Sequence, residues 1–158
     1  MKEVLELLDN KNIEYDLIEH EKAYTVEDLK TFGLIDKGYF LKNLFLRNSK
    51  GNVHYLVSCY YDKKINLDDL REKLNSTKLS FASPERLMKY MKLEPGSVTP
   101  FGILNDDENL VVVVFDKDLI ERKVGVHPNV NNASVFVKFE HLKNIIEEKG
   151  NQILMIDI

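Results

Sequence analysis

A single cysteine, Cys59, stands in 158 residues, so no disulfide can form within the chain. An oxidising compartment is therefore not needed to explain its stability. Long apolar runs are also missing; none approaches the roughly 20 residues that span a bilayer. The opening Met1-Lys2-Glu3-Val4-Leu5-Glu6 is acidic and amphipathic, unlike the basic start of a secretory signal. A cytoplasmic location and no membrane partner are expected. Positive charge is not in excess either: the formal net charge is −4. That excludes a generally basic surface of the kind that binds nucleic acid without selectivity. It leaves room for a local patch, and Lys37, Lys42, Arg47, Lys50, Lys63, Lys64, Arg86, Lys89 and Lys92 all fall in the first two-thirds. The four histidines, His20, His54, His127 and His141, show no HxxxH spacing and no cysteine partner, so no metal site is expected. No Gly-rich fingerprint opens a helix, which argues against both a P-loop and a Rossmann site. No cofactor is expected.

Repeats, low-complexity tracts and Pro/Gly/Ser linkers are absent too, so residues 1–158 are expected to form one domain. Val4, Leu5, Leu7 and Leu8 have helical spacing. Thr25 with Asp28 reads as a helix start running to about Phe32, and Gly33 as its stop. Asn66 or Asp68 should open a helix to Leu74. Ser83-Pro84 should open another to about Met91, placing Arg86, Lys89 and Lys92 near one face. A last helix is expected over 141–149. Strands are expected over 15–19, 40–47, 53–60, 110–115, 123–127, 134–139 and 152–156, with a hairpin through Asn48-Ser49-Lys50-Gly51-Asn52. The pattern predicts an α+β domain with a mixed, largely antiparallel sheet of six or seven strands and surrounding helices.

Three segments carry residues suited to chemistry. Lys42 interrupts an apolar strand and shares a face with Phe40, Leu44 and Leu46. It either snorkels at a sheet end or supplies a fixed positive charge to a pocket. Gly96-Ser97-Val98-Thr99-Pro100-Phe101-Gly102 is either a plain connection or a loop whose backbone N–H groups hold a carbonyl and its tetrahedral successor. His127-Pro128-Asn129-Val130-Asn131 follows a strand; His127 can orient a hydroxyl or water or relay a proton, or serve structure alone. Cys59 reads most simply as a buried small residue.

Together, in this order, these segments resemble the YbaK/prolyl-tRNA synthetase-associated editing family, whose members hydrolyse wrongly charged aminoacyl-tRNA. The likeness extends over nearly the whole chain, including Glu19-His20-Glu21-Lys22-Ala23-Tyr24-Thr25. Leu79 to Leu87 with Gly96 to Pro100 look most like the free-standing branch that removes alanine from tRNA(Pro). The resemblance implies a trans-acting deacylase with Lys42, Gly96 and His127 as catalytic residues. It implies substrate contacts from Asn43, Ser97, Val98, Thr99, Pro100, Asn131, His20 and Tyr24. Lys42 would hold the terminal phosphate or the α-carbonyl region. The Gly96 loop would hold the carbonyl, and His127 and Asn131 the ribose hydroxyl or the water. Phe40, Phe45, Tyr24 and Val98 would wall a pocket sized for alanine and too small for proline. The implied partners are the tRNA(Pro) acceptor end bearing a mismatched amino acid and, as a second partner, prolyl-tRNA synthetase. The chain departs from the family pattern at Asn129, where leucine is common, and at Asn132 and Ser134, where threonine is frequent. A cysteinyl- or seryl-tRNA deacylase and a non-catalytic tRNA- or synthetase-binding module are the alternatives.

Overall fold

The computed structural model describes residues 1–158. One strand organises it. β2 (Tyr39–Arg47) is nine residues long, and side chains leave alternately from its two faces. Leu41 and Phe45 enter the main apolar cluster, while Phe40 and Leu46 enter two smaller clusters on the opposite face. With both faces covered, the strand reads in sequence as an almost unbroken apolar run. Lys42 interrupts the second face at the break between those two smaller clusters.

β2 pairs antiparallel along one edge with β3 (His54–Tyr60), Lys42 opposite Cys59 and Asn43 opposite Ser58. The hairpin turn is closed by Asn48, whose Oδ1 accepts from the Asn52 and Val53 N–H groups at 3.1 and 3.2 Å. The other edge of β2 is shared. β6 (Lys123–Val126) pairs with it in parallel only at Tyr39 and Phe40. β4 (Ser80–Phe81) pairs only at Leu46 and Arg47. Between those two, Leu41 to Leu44 have a strand on one side alone. That gap in the sheet positions the site.

Outside β6 lie β7 (Ala133–Lys138) and then β1 (Tyr15–Glu19), both antiparallel. Outside β3 lie β5 (Val111–Asp116) and β8 (Ile153–Ile156), both parallel. The order is β1-β7-β6-β2-β3-β5-β8, with β4 off the path. The mixed α+β sheet expected from sequence is therefore present, with eight strands rather than six or seven. The addition is β4: two exposed residues carry no periodicity to read.

Helices α1 (Lys2–Asn10), α4 (Pro84–Met91) and α5 (Phe139–Lys149) supply Val4, Leu8, Leu87, Met91, Leu142 and Ile146 to the main cluster. α2 (Val26–Thr31) and α3 (Leu67–Leu74) supply Leu29 and Leu70 to the two clusters opposite. The helix starts follow their caps. Thr25 and Asp28 form a reciprocal capping box, Asn66 Oδ1 accepts from Asp68 and Asp69 N–H, and Ser83 Oγ accepts from Arg86 N–H. α5 begins at Phe139, two residues before the expected start at His141, because β7 runs directly into it. No helix is long and apolar enough to cross a membrane.

Candidate active site

The gap beside β2 opens into a pocket of about 290 Å³. Phe40, Leu41, Lys42 and Asn43 form one wall, Ala23 to Val26 and Leu29 a second, and Gly96, Val98, His127 and Tyr61 the rest. Three segments far apart in sequence thus converge because β2, the 95–99 loop and the end of β6 meet where the sheet splits.

Lys42 Nζ donates to the backbone carbonyl of Lys63. Lys63 in turn pairs through its own ammonium with the buried carboxylate of Asp116, and that hydrogen bond raises the Lys63 pKa. The segment holding Lys42 is thereby anchored to the end of β5. Nothing acidic neutralises Lys42 itself, so a positive charge is presented among Leu29, Phe40, Leu41 and Val98. In such an apolar wall a charge acts strongly on a nearby dipole.

His127 is half-buried at the end of β6, with its ring edge-on to Phe40 at 5.7 Å between centroids. Its Nδ1 lies 3.0 Å from the Ala133 carbonyl oxygen. A carbonyl can only accept, so Nδ1 carries the proton. Burial lowers the pKa of His127, against the opposing pull of the Ala133 carbonyl, and His20 adds a smaller lowering. The imidazole is therefore neutral, and Nε2 offers a lone pair with no protein partner. That is the state a base or a water-orienting group requires.

Asn43 is a clamp. Its Nδ2 donates to the Val98 carbonyl at 3.3 Å, and its Oδ1 accepts from Ser58 Oγ at 2.5 Å. It ties the 95–99 loop to β2 and β3. Thr99 is fully buried and does the same for His127: its hydroxyl donates to the His127 carbonyl at 2.5 Å and accepts from Phe101 N–H at 3.3 Å. Pro100, also buried, opens a short 3₁₀ segment. Within the loop the Ser97 N–H is consumed by the Glu94 carbonyl at 3.1 Å. The Gly96, Val98 and Thr99 N–H groups have no protein acceptor. Gly96 has φ +90°, and a Cβ there would lie 3.3 Å from the Tyr24 ring.

Of the residues singled out in sequence, Lys42, Asn43, Gly96, Val98, His127 and Tyr24 meet in the pocket. Ser97 and Asn131 lie in a neighbouring groove, and Thr99 and Pro100 are buried behind the wall. His20 sits behind His127 with centroids 6.3 Å apart, stacked on Phe32 and 2.9 Å from Ser134 Oγ through Nε2. Phe45, expected as a wall, faces the main core and stacks on His54 instead, because it occupies the odd-numbered face of β2. Ala23, Val26, Leu29 and Tyr61 were not foreseen; as ordinary residue types they carry no signal before the fold brings them to the gap. Arg86 is not part of a free basic helix face, since its Nη1 donates to Gly51 O at 3.0 Å and meets His54 Nε2 at 3.2 Å. Cys59 is buried, and burial pushes its thiol up to about 11, so it is no nucleophile.

The model of the aminoacyl-tRNA editing domain matches residues 20–145. A relative from Acetoanaerobium sticklandii, called prolyl-tRNA editing protein ProX, is 48% identical over 156 residues, covering 98% of this chain and 95% of that protein. In Danio rerio, prolyl-tRNA synthetase associated domain-containing protein 1 is 31% identical over 150 residues, covering 93% of this chain and 81% of that one. Among solved structures, a candidate trans-editing enzyme for prolyl-tRNA synthetase superposes with a TM-score of 0.73 at 18% identity. It covers 99% of this chain and 94% of its own, and at that identity the likeness is one of fold.

Proposed function

The chain belongs to the aminoacyl-tRNA editing domain family, and from that membership we propose that it is a trans-acting aminoacyl-tRNA deacylase of prolyl-tRNA editing. The amino acid we assign to it is alanine, removed from tRNA(Pro). The observation that carries the reading is one pocket lined by an uncompensated Lys42, by Gly96 and Val98, whose N–H groups have no protein acceptor, and by a neutral His127 with a free Nε2. The relative named for prolyl-tRNA editing is coextensive with this chain, which supports action in trans and residues 1–158 as one editing domain.

An ester between an amino acid and a ribose is activated, so its hydrolysis needs a placed water and support for the oxyanion. In the proposed step His127 Nε2 takes a proton as the water oxygen bonds to the carbonyl carbon. Lys42 and the loop N–H groups hold the negative oxygen. The ribose oxygen then leaves as the ester C–O bond breaks and recovers the proton from His127. Water is the only co-reactant. Oxyanion support of this kind contributes about 10²–10³ in rate per donor, and general base assistance about 10²–10⁴. Selectivity is assigned to Ala23, Leu29, Phe40 and Val98, the apolar residues that bound the space open to the amino acid's side chain. The partner is the tRNA acceptor end, and the cytoplasm is the compartment proposed. Prolyl-tRNA synthetase is the protein partner to test, since one relative's name associates it with that enzyme.

The test is deacylation of alanyl-tRNA(Pro), with cysteinyl-, seryl- and prolyl-tRNA(Pro) in parallel. Loss of alanine alone supports the assignment. Loss of cysteine or serine instead keeps the enzyme class and moves the substrate. No hydrolysis with retained tRNA binding leaves a non-catalytic module.

A further inference from the structure

A second concavity adjoins the pocket and has no part in the chemistry above. It is a groove of about 420 Å³ between the C-terminal end of α4, the 94–97 loop and the loop after β6. Alongside the apolar Met88, Leu93 and Val130 its lining carries Lys22, Lys92, Ser97, Asn129, Asn131 and Asn132, with Glu94 as the one acid. One residue separates it from the pocket. A Cβ on Gly96 would lie 3.3 Å from the Tyr24 ring on the pocket side and 3.7 Å from Asn131 Nδ2 on the groove side. A chain seated in the pocket can cross this glycine ridge, over the largely exposed Tyr24, into the groove.

The groove's chemistry is that of a nucleotide site. Lys22 has no carboxylate partner, and Lys92 only approaches Asp107, at 3.9 Å and in solvent. Both can turn to a phosphodiester. Three carboxamides and a serine hydroxyl supply donors and acceptors to ribose and base edges. Asn129, one of the three carboxamides, stands at φ +64° with its Oδ1 buried and without a hydrogen-bond partner. Its position is right as well. The reacting ester sits on the terminal ribose, whose 5′-phosphate joins the preceding nucleotide, so the RNA must leave the pocket within one phosphodiester link.

We infer that this groove seats the ribose-phosphate of the nucleotide preceding the terminal adenosine, with Lys22 and Lys92 on its phosphates and Tyr24 as the ledge under the terminal base. The identity of the RNA end rests on the deacylase reading; the binding test does not. A labelled CCA trinucleotide is titrated at low salt by anisotropy into the wild type, a Lys22→Glu/Lys92→Glu double variant and a Lys2→Glu/Lys143→Glu control of equal charge change. The groove variant is expected to bind at least tenfold more weakly, with a shallower dependence on salt, and the control within twofold of wild type. Equal binding by all three proteins, equal loss in both double variants, or no binding by the wild type overturns the assignment. Deacylation of alanyl-tRNA(Pro) by the wild type is scored separately. Hydrolysis without a groove effect removes this inference and leaves the function standing, whereas a groove effect without hydrolysis does the reverse.

Discussion

Two histidines in this molecule look alike by the direction of their titration and differ in everything that matters for chemistry. His127 and His54 both have lowered pKa values, and in both the first cause is burial. His54 is 2% exposed, packs against the Phe45 and Tyr90 rings at 5.5 and 4.1 Å between centroids, and accepts from Arg86 through Nε2. Its ring is packed away from solvent and its acceptor is used. His127 spends only Nδ1, on the Ala133 carbonyl, and keeps Nε2 beside a cavity. A perturbed titration therefore does not mark a site here. An unspent lone pair at a cavity does.

The sharpest way to break that contrast is to remove each ring. His127→Ala is expected to lower kcat/KM for alanyl-tRNA(Pro) by about 10²–10⁴-fold. His54→Ala is expected to leave kcat/KM per folded molecule within threefold while lowering stability by about 2–4 kcal/mol through the space emptied beside the Phe45 and Tyr90 rings and the loss of an acceptor for Arg86. Kinetics and urea unfolding on both variants decide it; the contrast fails if the two effects exchange places. Because the His127 pKa is lowered, activity should persist below the ordinary histidine range near 6.5 and decline only at more acid pH.

Lys42→Ala comes next, at about 10²–10³-fold in kcat. Its midpoint of thermal unfolding should hardly move, since its one hydrogen bond goes to the Lys63 carbonyl. Unchanged deacylation by this variant removes Lys42 from the mechanism.

Much of this contrast is invisible in sequence, and the reason is directional. Lys42, Gly96 and His127 could be read because each contradicts its surroundings: a charge in an apolar run, a glycine in a turn, an imidazole beside proline at a strand end. The helix starts were legible for a similar reason, as Thr25, Asn66 and Ser83 state their caps locally. What sequence withholds is where a polar side chain points. Thr99 turns inward to the His127 carbonyl and Asn43 to Val98, so both hold the site's walls in place. Phe45 went to the core because one residue of register exchanges the faces of β2. The splitting of β2 between β6 and β4, which makes the pocket at all, is a long-range pairing with no local signature.

The His54 side can be sharpened by pH. Its folded-state value is pushed down to about 4, first by burial and then by Arg86, Arg47 and Lys89. The unfolded chain, at about 6.5, binds the proton more readily. The contribution is thus complete above pH 6.5 and is lost as pH falls from there toward 4, by up to about 3 kcal/mol. His54→Gln, which keeps an acceptor for Arg86, should flatten stability between those limits relative to wild type. A parallel pair of pH–stability curves would mean that His54 is not the titrating group.

The smallest expected effect tests the comparison with matched glycines. Gly96 lines the same pocket as His127 and has φ +90°, and Gly51 accepts from Arg86 in the His54 cluster and has φ +71°. Alanine at either position must hold a left-handed backbone, at a cost of about 1 kcal/mol. At Gly51 the new Cβ meets the guanidinium ends of Arg86 and Arg47 at 2.9–3.1 Å, flexible groups that can turn aside. At Gly96 it meets Tyr24 ring carbons at 3.3 Å, in the wall of the pocket. Both variants should therefore lose similar stability, and only Gly96→Ala should also raise KM for alanyl-tRNA(Pro), by a factor of a few. If Gly51→Ala raises KM equally, the hairpin end of the molecule touches the substrate. The RNA footprint would then extend from the chemical histidine to the structural one.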